Sequence, residues 1–371
     1  MEKAKVYFTN FRTTSDMNLL QKLRRLLEKA GMTGMDLDGK FTAIKIHFGE
    51  PGNLAFLRHN YAKVVVDTLK DMGAKPFLTD SNTLYVGRRR NALDHLDAAY
   101  ENGFSPMQTG CHVIIADGLM GTDDVAVPIN GEYCKEAFIG RAAMDAEAVI
   151  SLTHFKCHEG TGIGGVLKNL GMGLGSAAGK RAMHNDGKPI VRQNRCIGCG
   201  LCSKQCAHGA ITFSGEKKER TATIDHDKCV GCGRCVGVCR KVGAISGTGS
   251  SCDLLNCKIS EYAWAVVKDR PHFHITMVMD VSPFCDCHAK NDVPIIADVG
   301  MFASFDPVAL DTACADACNR MEPLPGTFLS GKENRTGDIF TDAHPVTNWR
   351  VGVNHAEKLG MGTTAYELVE V

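Results

Sequence analysis

The chain has 371 residues, 44% of them hydrophobic, and its 42 basic side chains are balanced by 42 acidic ones. That length allows two or three domains, or one large domain carrying an insertion. The even charge excludes the global basic field of a nucleic-acid binder, and no apolar run is long enough to span a bilayer.

The first residues run straight into a strand-like segment without an apolar signal region, and 17 cysteines accompany that start. A cytoplasmic chain with reduced thiols is therefore expected, not a disulfide framework. A first strand is predicted over 5–8. Leu19, Leu20, Leu23, Leu26 and Leu27 recur at helical spacing within 17–30, and Gly31 marks the stop. From Phe41 onward Ile44, Ile46 and Phe48 alternate with Lys45 and His47, so a strand puts that Lys and His on one face. A helix over 61–72 and a strand over 75–79 follow. Asp80, Ser81 and Asn82 then stand at the strand's carboxyl end, where α/β folds place ligands. Arg88, Asn91 and His95 are expected on or next to one face of the following helix. Strands are predicted over 113–116 and 125–129, with turns at Asp117-Gly118 and Asn130-Gly131.

An apolar strand over 148–155 leads into a stretch that mixes reactive side chains with glycines. If the strand continues, His154, Lys156 and His158 share a face and Cys157 points the other way. The glycines through Gly165 would bring backbone amides near a ligand, and a helix starting about Gly165 would aim its N-terminus at an anion. Lys168 and Asn169 follow. The glycine run by itself is neither a phosphate-binding loop nor a dinucleotide fingerprint, and no flavin or nicotinamide signature occurs elsewhere.

Next come two matched cysteine runs, Cys196, Cys199, Cys202 and Cys206, then Cys229, Cys232, Cys235 and Cys239. Two copies of C-x2-C-x2-C-x3-C in tandem are the ligand pattern of a bacterial two-cluster ferredoxin, in which the fourth Cys of each run reaches the other cluster. Cys196, Cys199, Cys202 and Cys239 are thus expected to bind one 4Fe–4S cluster, and Cys229, Cys232, Cys235 and Cys206 the second. Zinc knuckles are the competing reading, but zinc sites do not use two matched four-ligand sets of this kind. Gly198, Gly200, Gly231 and Gly233 permit positive φ beside the sulfides. Ala207 and Arg240 stand where the usual run has Pro, which removes no ligand. The oxygen sensitivity of such clusters suits an anaerobic cell. Basic residues outnumber acidic ones between Lys188 and Lys241, which either offsets the negative clusters or prepares a face for an acidic carrier such as ferredoxin or flavodoxin.

After Cys252 and Cys257, a strand over 274–281 delivers Cys285 and Cys287, a C-x-C pair. This is poor geometry for a disulfide and good geometry for a soft metal, with Cys157 or a His completing the set; two buried free thiols are the alternative. A buried strand is predicted over 295–298. A helix opens at Asp306-Pro307, carrying Cys314 and Cys318 at packing positions, and the tail offers a helix or turn over 354–360 and a final segment from Tyr366. Strands alternating with helices argue a mixed α/β fold, with a ferredoxin-like (α+β) module over 188–247 inserted between parts 1–187 and 248–371.

Lys45, His47 and Glu50, the segment from Asp80 to Tyr85, His154, Lys156 and His158, and Gly164 through Asn169 resemble motifs of the family called domain of unknown function 362. Cys285, Cys287 and the segment from Asp306 to Asp311 resemble its later motifs, and the cysteine runs match its iron–sulfur members. The resemblance implies that these motif residues gather in one site. A site of Lys45, His47, His154, Lys156, His158 and Lys168 suits an anionic or carbonyl substrate, with Lys and His holding oxygens and moving a proton. Two readings follow. In one, the chain is an electron-transferring oxidoreductase linking an external carrier to that substrate. In the other, it is a non-catalytic electron carrier or cluster-handling partner of a larger enzyme.

Overall fold

A computed structural model describes residues 3–85, 87–184, 189–206, 209–216, 220–229, 234–239, 241–246 and 252–371. Its centre is one eight-stranded sheet. From edge to edge the strands are Tyr366–Glu370, Ala4–Asn10, Gly300–Ser304, His272–Val278, Ala148–His154, Phe41–Lys45, Lys75–Asp80 and Val113–Ile115. Only Gly300–Ser304 runs antiparallel to its two neighbours; the other pairings are parallel. Strands from before residue 188 and after residue 247 therefore interleave in a single sheet.

A parallel sheet must be covered on both faces, and the strand sequences supply apolar side chains to each. Ala43, Val149 and Phe302 enter one core, beneath the helices Val166–Leu174, Cys252–Val267, Pro307–Asn319 and Trp349–Lys358. Their chain neighbours Ile44, Ile150 and Met301 enter the other, against the helices Leu19–Lys29 and His59–Asp71. Period-two alternation thus builds three layers. The helices begin where the sequence offers caps: Asn18 closes a capping box with Gln21, and Asp306 accepts from the amides of Val308 and Ala309 with Pro307 in the first turn. The segment expected as a strand over 295–298 is instead a loop. Ile295 and Ile296 are buried there, but Ile295 N–H donates to Val281 O and no strand among the described residues continues the ladder.

The described residues between 190 and 246 build a smaller unit with a core of its own. A strand–helix–strand pattern occurs twice: Ile190–Val191, Leu201–Gln205, Ile211–Ser214, then Thr221–Ile224, Arg234–Val238, Ile245–Ser246. The inner strands pair antiparallel, and so do the outer ones. Cys202 and Cys235 are buried with Ile211, Ala222 and Ile245, and Cys196, Cys206 and Cys239 pack against them. Gly198 and Gly200 have φ of +61° and +78°, as the glycine positions led one to expect. Gly231, Cys232 and Gly233, with Ala207 and Arg240, lie outside the described residues.

Helices Val166–Leu174 and Cys252–Val267 touch through Gly171, where a Cβ would sit 2.1 Å from Ile259 O and 3.0 Å from Ala263 N. Backbone on the far side cannot swing away, so Gly171→Ala is expected to lower stability by about 1–3 kcal/mol. Gly34→Ala, where a Cβ would meet nothing within 4 Å, should stay within about 0.5 kcal/mol. Urea unfolding midpoints of the two variants measure the contrast.

Candidate functional site

At the carboxyl ends of Phe41–Lys45, Lys75–Asp80 and Ala148–His154 lies a cavity of about 370 Å³. Lys45, His47, Lys156, His158 and Lys168 line it, together with Asp80, Arg89, Asn169 and Lys180. Tyr85, Glu159, His184 and His288 at its rim reach solvent. Phe48 and Phe155, which flank the motif residues in sequence, do not close it; each is fully buried in one of the two cores.

Cations dominate the wall. Lys45 Nζ sits 3.1 Å from Asp80 Oδ1 and donates to Asn169 Oδ1 at 2.8 Å. Burial, only partly offset by Asp80, lowers the Lys45 pKa to about 8. Asp80 is itself buried, which favours its neutral form, yet Lys45, His95 and Arg89 hold its pKa below the usual carboxylate value. Arg89 is fully buried and pairs with Glu50 at 2.8 Å while its guanidinium lies 3.5 Å from Asp80. Lys156 Nζ sits 3.0 Å from Asp286 Oδ2. Among the described residues, neither Lys168 nor Lys180 has a carboxylate within 4.0 Å. Asp80 Oδ2 and Ser81 Oγ are buried at the cavity floor with no hydrogen-bond partner among the described residues.

The two cavity histidines are held alike. His47 Nδ1 accepts from Gly49 N at 3.0 Å, and His158 Nδ1 accepts from Gly160 N at 3.0 Å and Thr161 N at 3.1 Å. An accepting Nδ1 leaves the proton of a neutral ring on Nε2. Burial first, and then nearby cations, push both rings well below the ordinary histidine pKa, so both are neutral donors near pH 7. His154 differs. Its Nδ1 lies 2.9 Å from both oxygens of Asp286 and its Nε2 2.8 Å from Met279 O, so it braces Asp286 and is absent from the cavity wall.

The glycine run has another use than the one its composition suggested. Gly164 pairs across a hairpin with Lys156, and a Cβ there would stand 3.0 Å from Lys156 Cε. At Gly173 a Cβ would stand 2.4 Å from Lys45 Cε, and at Gly165 2.3 Å from Asp311 Oδ1. These glycines make room for side chains. The helix after Gly165 also does not offer its N-terminus to a ligand: Val166 and Leu167 amides donate to the Asp311 carboxylate at 2.6 and 2.9 Å. Burial raises that carboxyl to about 7 against the pull of the two amides.

Cys285 and Cys287 meet a histidine, and it is His158: one ligand atom from each lies within 4.8 Å of the others. Cys157 faces away into the core. Lys168 Nζ lies 3.5 Å from Cys285 Sγ. The hydrogen bond from Cys287 and the Lys168 charge hold Cys285 well below the ordinary thiol pKa despite burial, while Cys287 is raised. Arg88, Asn91 and His95 do not share a face. Asn91 caps the helix Ala92–Glu101, Arg88 pairs outside with Glu101, and buried His95 turns toward Asp80. Arg89 and Lys180 were not singled out by sequence reading, since nothing local separates Arg89 from Arg88 or Arg90. Cys314 and Cys318 pack in the core as their helical spacing suggested.

Fold and site together define an α/β protein with a lysine-rich cavity at the carboxyl ends of parallel strands. The chain belongs to the family described as domain of unknown function (DUF362), whose profile matches residues 42–316. Comparison with curated proteins gives no match. Among solved structures, the lactate racemase apoprotein from Thermoanaerobacterium thermosaccharolyticum aligns at 10% identity with a TM-score of 0.40, over 75% of this chain and 51% of its own. A protein from Thermotoga maritima aligns at 12% identity with a TM-score of 0.41, over 84% of this chain and 59% of its own. The chain thus spans between half and two thirds of the length of each of these two. Among the described residues no helix is long and apolar enough to cross a membrane.

With its pKa at about 8, Lys45 should react with a small acylating reagent along a pH curve centred near 8, not near the 10.5 of an ordinary lysine. The neutral, reactive amine then rises from a minor to a major fraction between pH 7 and 9. Mass-spectrometric quantification of Lys45 acylation across that range measures it.

Proposed function

We propose that this chain is an iron–sulfur oxidoreductase. Cys196, Cys199, Cys202 and Cys239 bind one 4Fe–4S cluster and Cys229, Cys232, Cys235 and Cys206 the other. The observation that carries the reading is the doubled strand–helix–strand unit, in which described cysteines of both runs share one small core. Cys206 and Cys239, the fourth cysteines of the two runs, pack against the same core as Cys202 and Cys235, which supports the exchange of a ligand between runs. Two sulfurs already accept amide hydrogens at 3.3 Å, Cys196 Sγ from Ala222 and Cys206 Sγ from Ala210, the kind of donor that stabilises a negatively charged cluster. None of the described cysteines is in a disulfide. The single sheet built from both flanking parts supports reading 188–247 as an insertion between 1–187 and 248–371.

The cavity takes a small anionic or carbonyl substrate. Lys168 and Lys180, without carboxylate partners among the described residues, attract its negative charge, and the Nε2–H group of His47 donates to its oxygens. Lys45, with its lowered pKa, is the group best suited to move a proton near neutral pH. An acidic carrier such as ferredoxin or flavodoxin docks on the small unit, where Ile197 and Leu201 are exposed on either side of exposed Cys199 and Arg192, Arg195 and Lys204 stand exposed around them. An open cavity with lysines and histidines in its wall favours this reading over a non-catalytic carrier, which would have no need of one.

Anaerobic iron and sulfide analysis with EPR of the reduced full chain tests it. About eight irons and eight sulfides per chain are expected, falling to about four in Cys199→Ser. Fewer than about four irons in the parent chain overturns the cluster assignment. Reoxidation of the reduced clusters by a panel of small carboxylates and carbonyl compounds should be accelerated by at least one of them and lost in Lys168→Ala. A panel that leaves the clusters reduced in every case returns the chain to the carrier reading.

A further inference from the structure

Beyond the two clusters, we propose that the α/β part holds a separate mononuclear site for a thiophilic divalent cation such as zinc, formed by Cys285, Cys287 and His158 and open to the cavity. The three side chains come from two distant parts of the chain, a hairpin strand and the loop after His272–Val278. Their ligand atoms lie within 4.8 Å of one another. In a tetrahedral zinc site, bond lengths of about 2.3 Å to sulfur and 2.0–2.1 Å to nitrogen place ligand atoms roughly 3.5–3.8 Å apart. Closing the remaining distance takes shifts of about an ångström in three side chains.

The turn that carries the two cysteines is fixed from outside. His288 N–H donates to Cys285 O at 3.1 Å, closing a four-residue turn. Asp286, between the cysteines, points away from them and is clamped by His154 at 2.9 Å and Lys156 at 3.0 Å, with the His154 ring anchored in turn on Met279 O. Carboxylate, histidine and lysine are all buried, so the turn cannot flex without breaking charged contacts. This gives His154, which does not reach the cavity, the part of a positioning residue for the thiolates.

Charge and access suit a working site. Two thiolates neutralise a divalent ion, and Lys168, 3.5 Å from Cys285 Sγ, leaves the assembly with one net positive charge. Cys287, His158 and Lys168 line the cavity while Cys285 lies behind them, so the open coordination position faces the cavity and attracts an anion. Two thiolates and an imidazole plus one free position is the ligand set of a catalytic zinc centre, and thiolates select softer ions over magnesium or calcium. The Gly160 and Thr161 amides donate to His158 Nδ1, so the neutral ring carries its proton on Nε2; ligation through Nε2 moves that proton to Nδ1 at the expense of these two hydrogen bonds and leaves the ring neutral. His158 is therefore the weakest of the three ligands, and the cysteines carry most of the affinity.

The test is titration of the cluster-loaded full chain with Co²⁺ and Zn²⁺ alone, with iron and sulfide counted in the same samples. One equivalent of cobalt is expected, displaced by zinc and marked by a thiolate-to-cobalt charge-transfer band. Cys287→Ser, at a half-buried cavity position, should abolish the band and lower affinity at least 100-fold with iron content unchanged. His158→Ala should weaken binding about tenfold, and Asp286→Asn by a factor between about 10 and 100. Binding that survives in Cys285→Ser/Cys287→Ser, or no binding beyond the cluster metal, overturns the proposal. So does a Cys285–Cys287 disulfide found by mass spectrometry in metal-resistant protein, which would make the pair a two-electron thiol couple. Because iron and sulfide are counted alongside, loss of the clusters and loss of this site are read separately.

Discussion

Charge held out of water at the end of a parallel sheet is the constraint on which the rest of this structure depends. Lys45, Arg89 and Lys156 are buried, and each would be untenable alone, since an uncompensated buried charge costs several kcal/mol. Asp80, Glu50 and Asp286 compensate them, and those carboxylates are buried in turn. The pairs interlock: Asp80 faces both Lys45 and Arg89, and Asp286 faces both Lys156 and His154. Removing any one partner strands the others. The network fixes strand ends, the C-x-C turn and the helix Val166–Leu174 relative to one another, and it leaves Lys168 and Lys180 without a carboxylate partner among the described residues.

The backbone yields to that network. Gly164, Gly165 and Gly173 occupy points where a lysine or aspartate side chain passes within 3.0 Å of the missing Cβ. A glycine-rich run at a strand-to-helix junction usually suggests a phosphate cradle, but here the helix N-terminus is filled by Asp311, from a helix about 145 residues further along. Protein carboxylate takes the place a ligand phosphate would hold there, and the cavity wall is left to lysines and neutral histidines. This arrangement suits a small ligand approached by side chains from several directions.

How much of this was legible in the sequence varied with how local the signal was. The cysteine runs carry their spacing in the chain, so the ligand pattern and the residues 188–247 stood out directly. Alternation from Phe41 to Phe48 placed Lys45 and His47 on the same wall, and five of the six candidate residues of the His/Lys site do line the cavity. His154 is the sixth, and it turned inward because Asp286, 132 residues away, is its partner. Arg89 stands in a run of three arginines whose members are identical to any pattern reading; only packing buries one of them. The strand expected over 295–298 failed for a similar reason, since apolar residues can be buried by a loop that has no ladder to join.

The sequence by itself determined the two matched cysteine runs, the alternating α/β character and most of the polar residues that face the cavity, because each is written in short-range spacing. Tertiary structure alone decided which ions pair, which glycines clear space for which side chains, and that His158, not Cys157, meets Cys285 and Cys287. Those outcomes depend on contacts between segments separated by more than a hundred residues. Burial sets their energies, and burial is a property of the assembled sheet and its two cores.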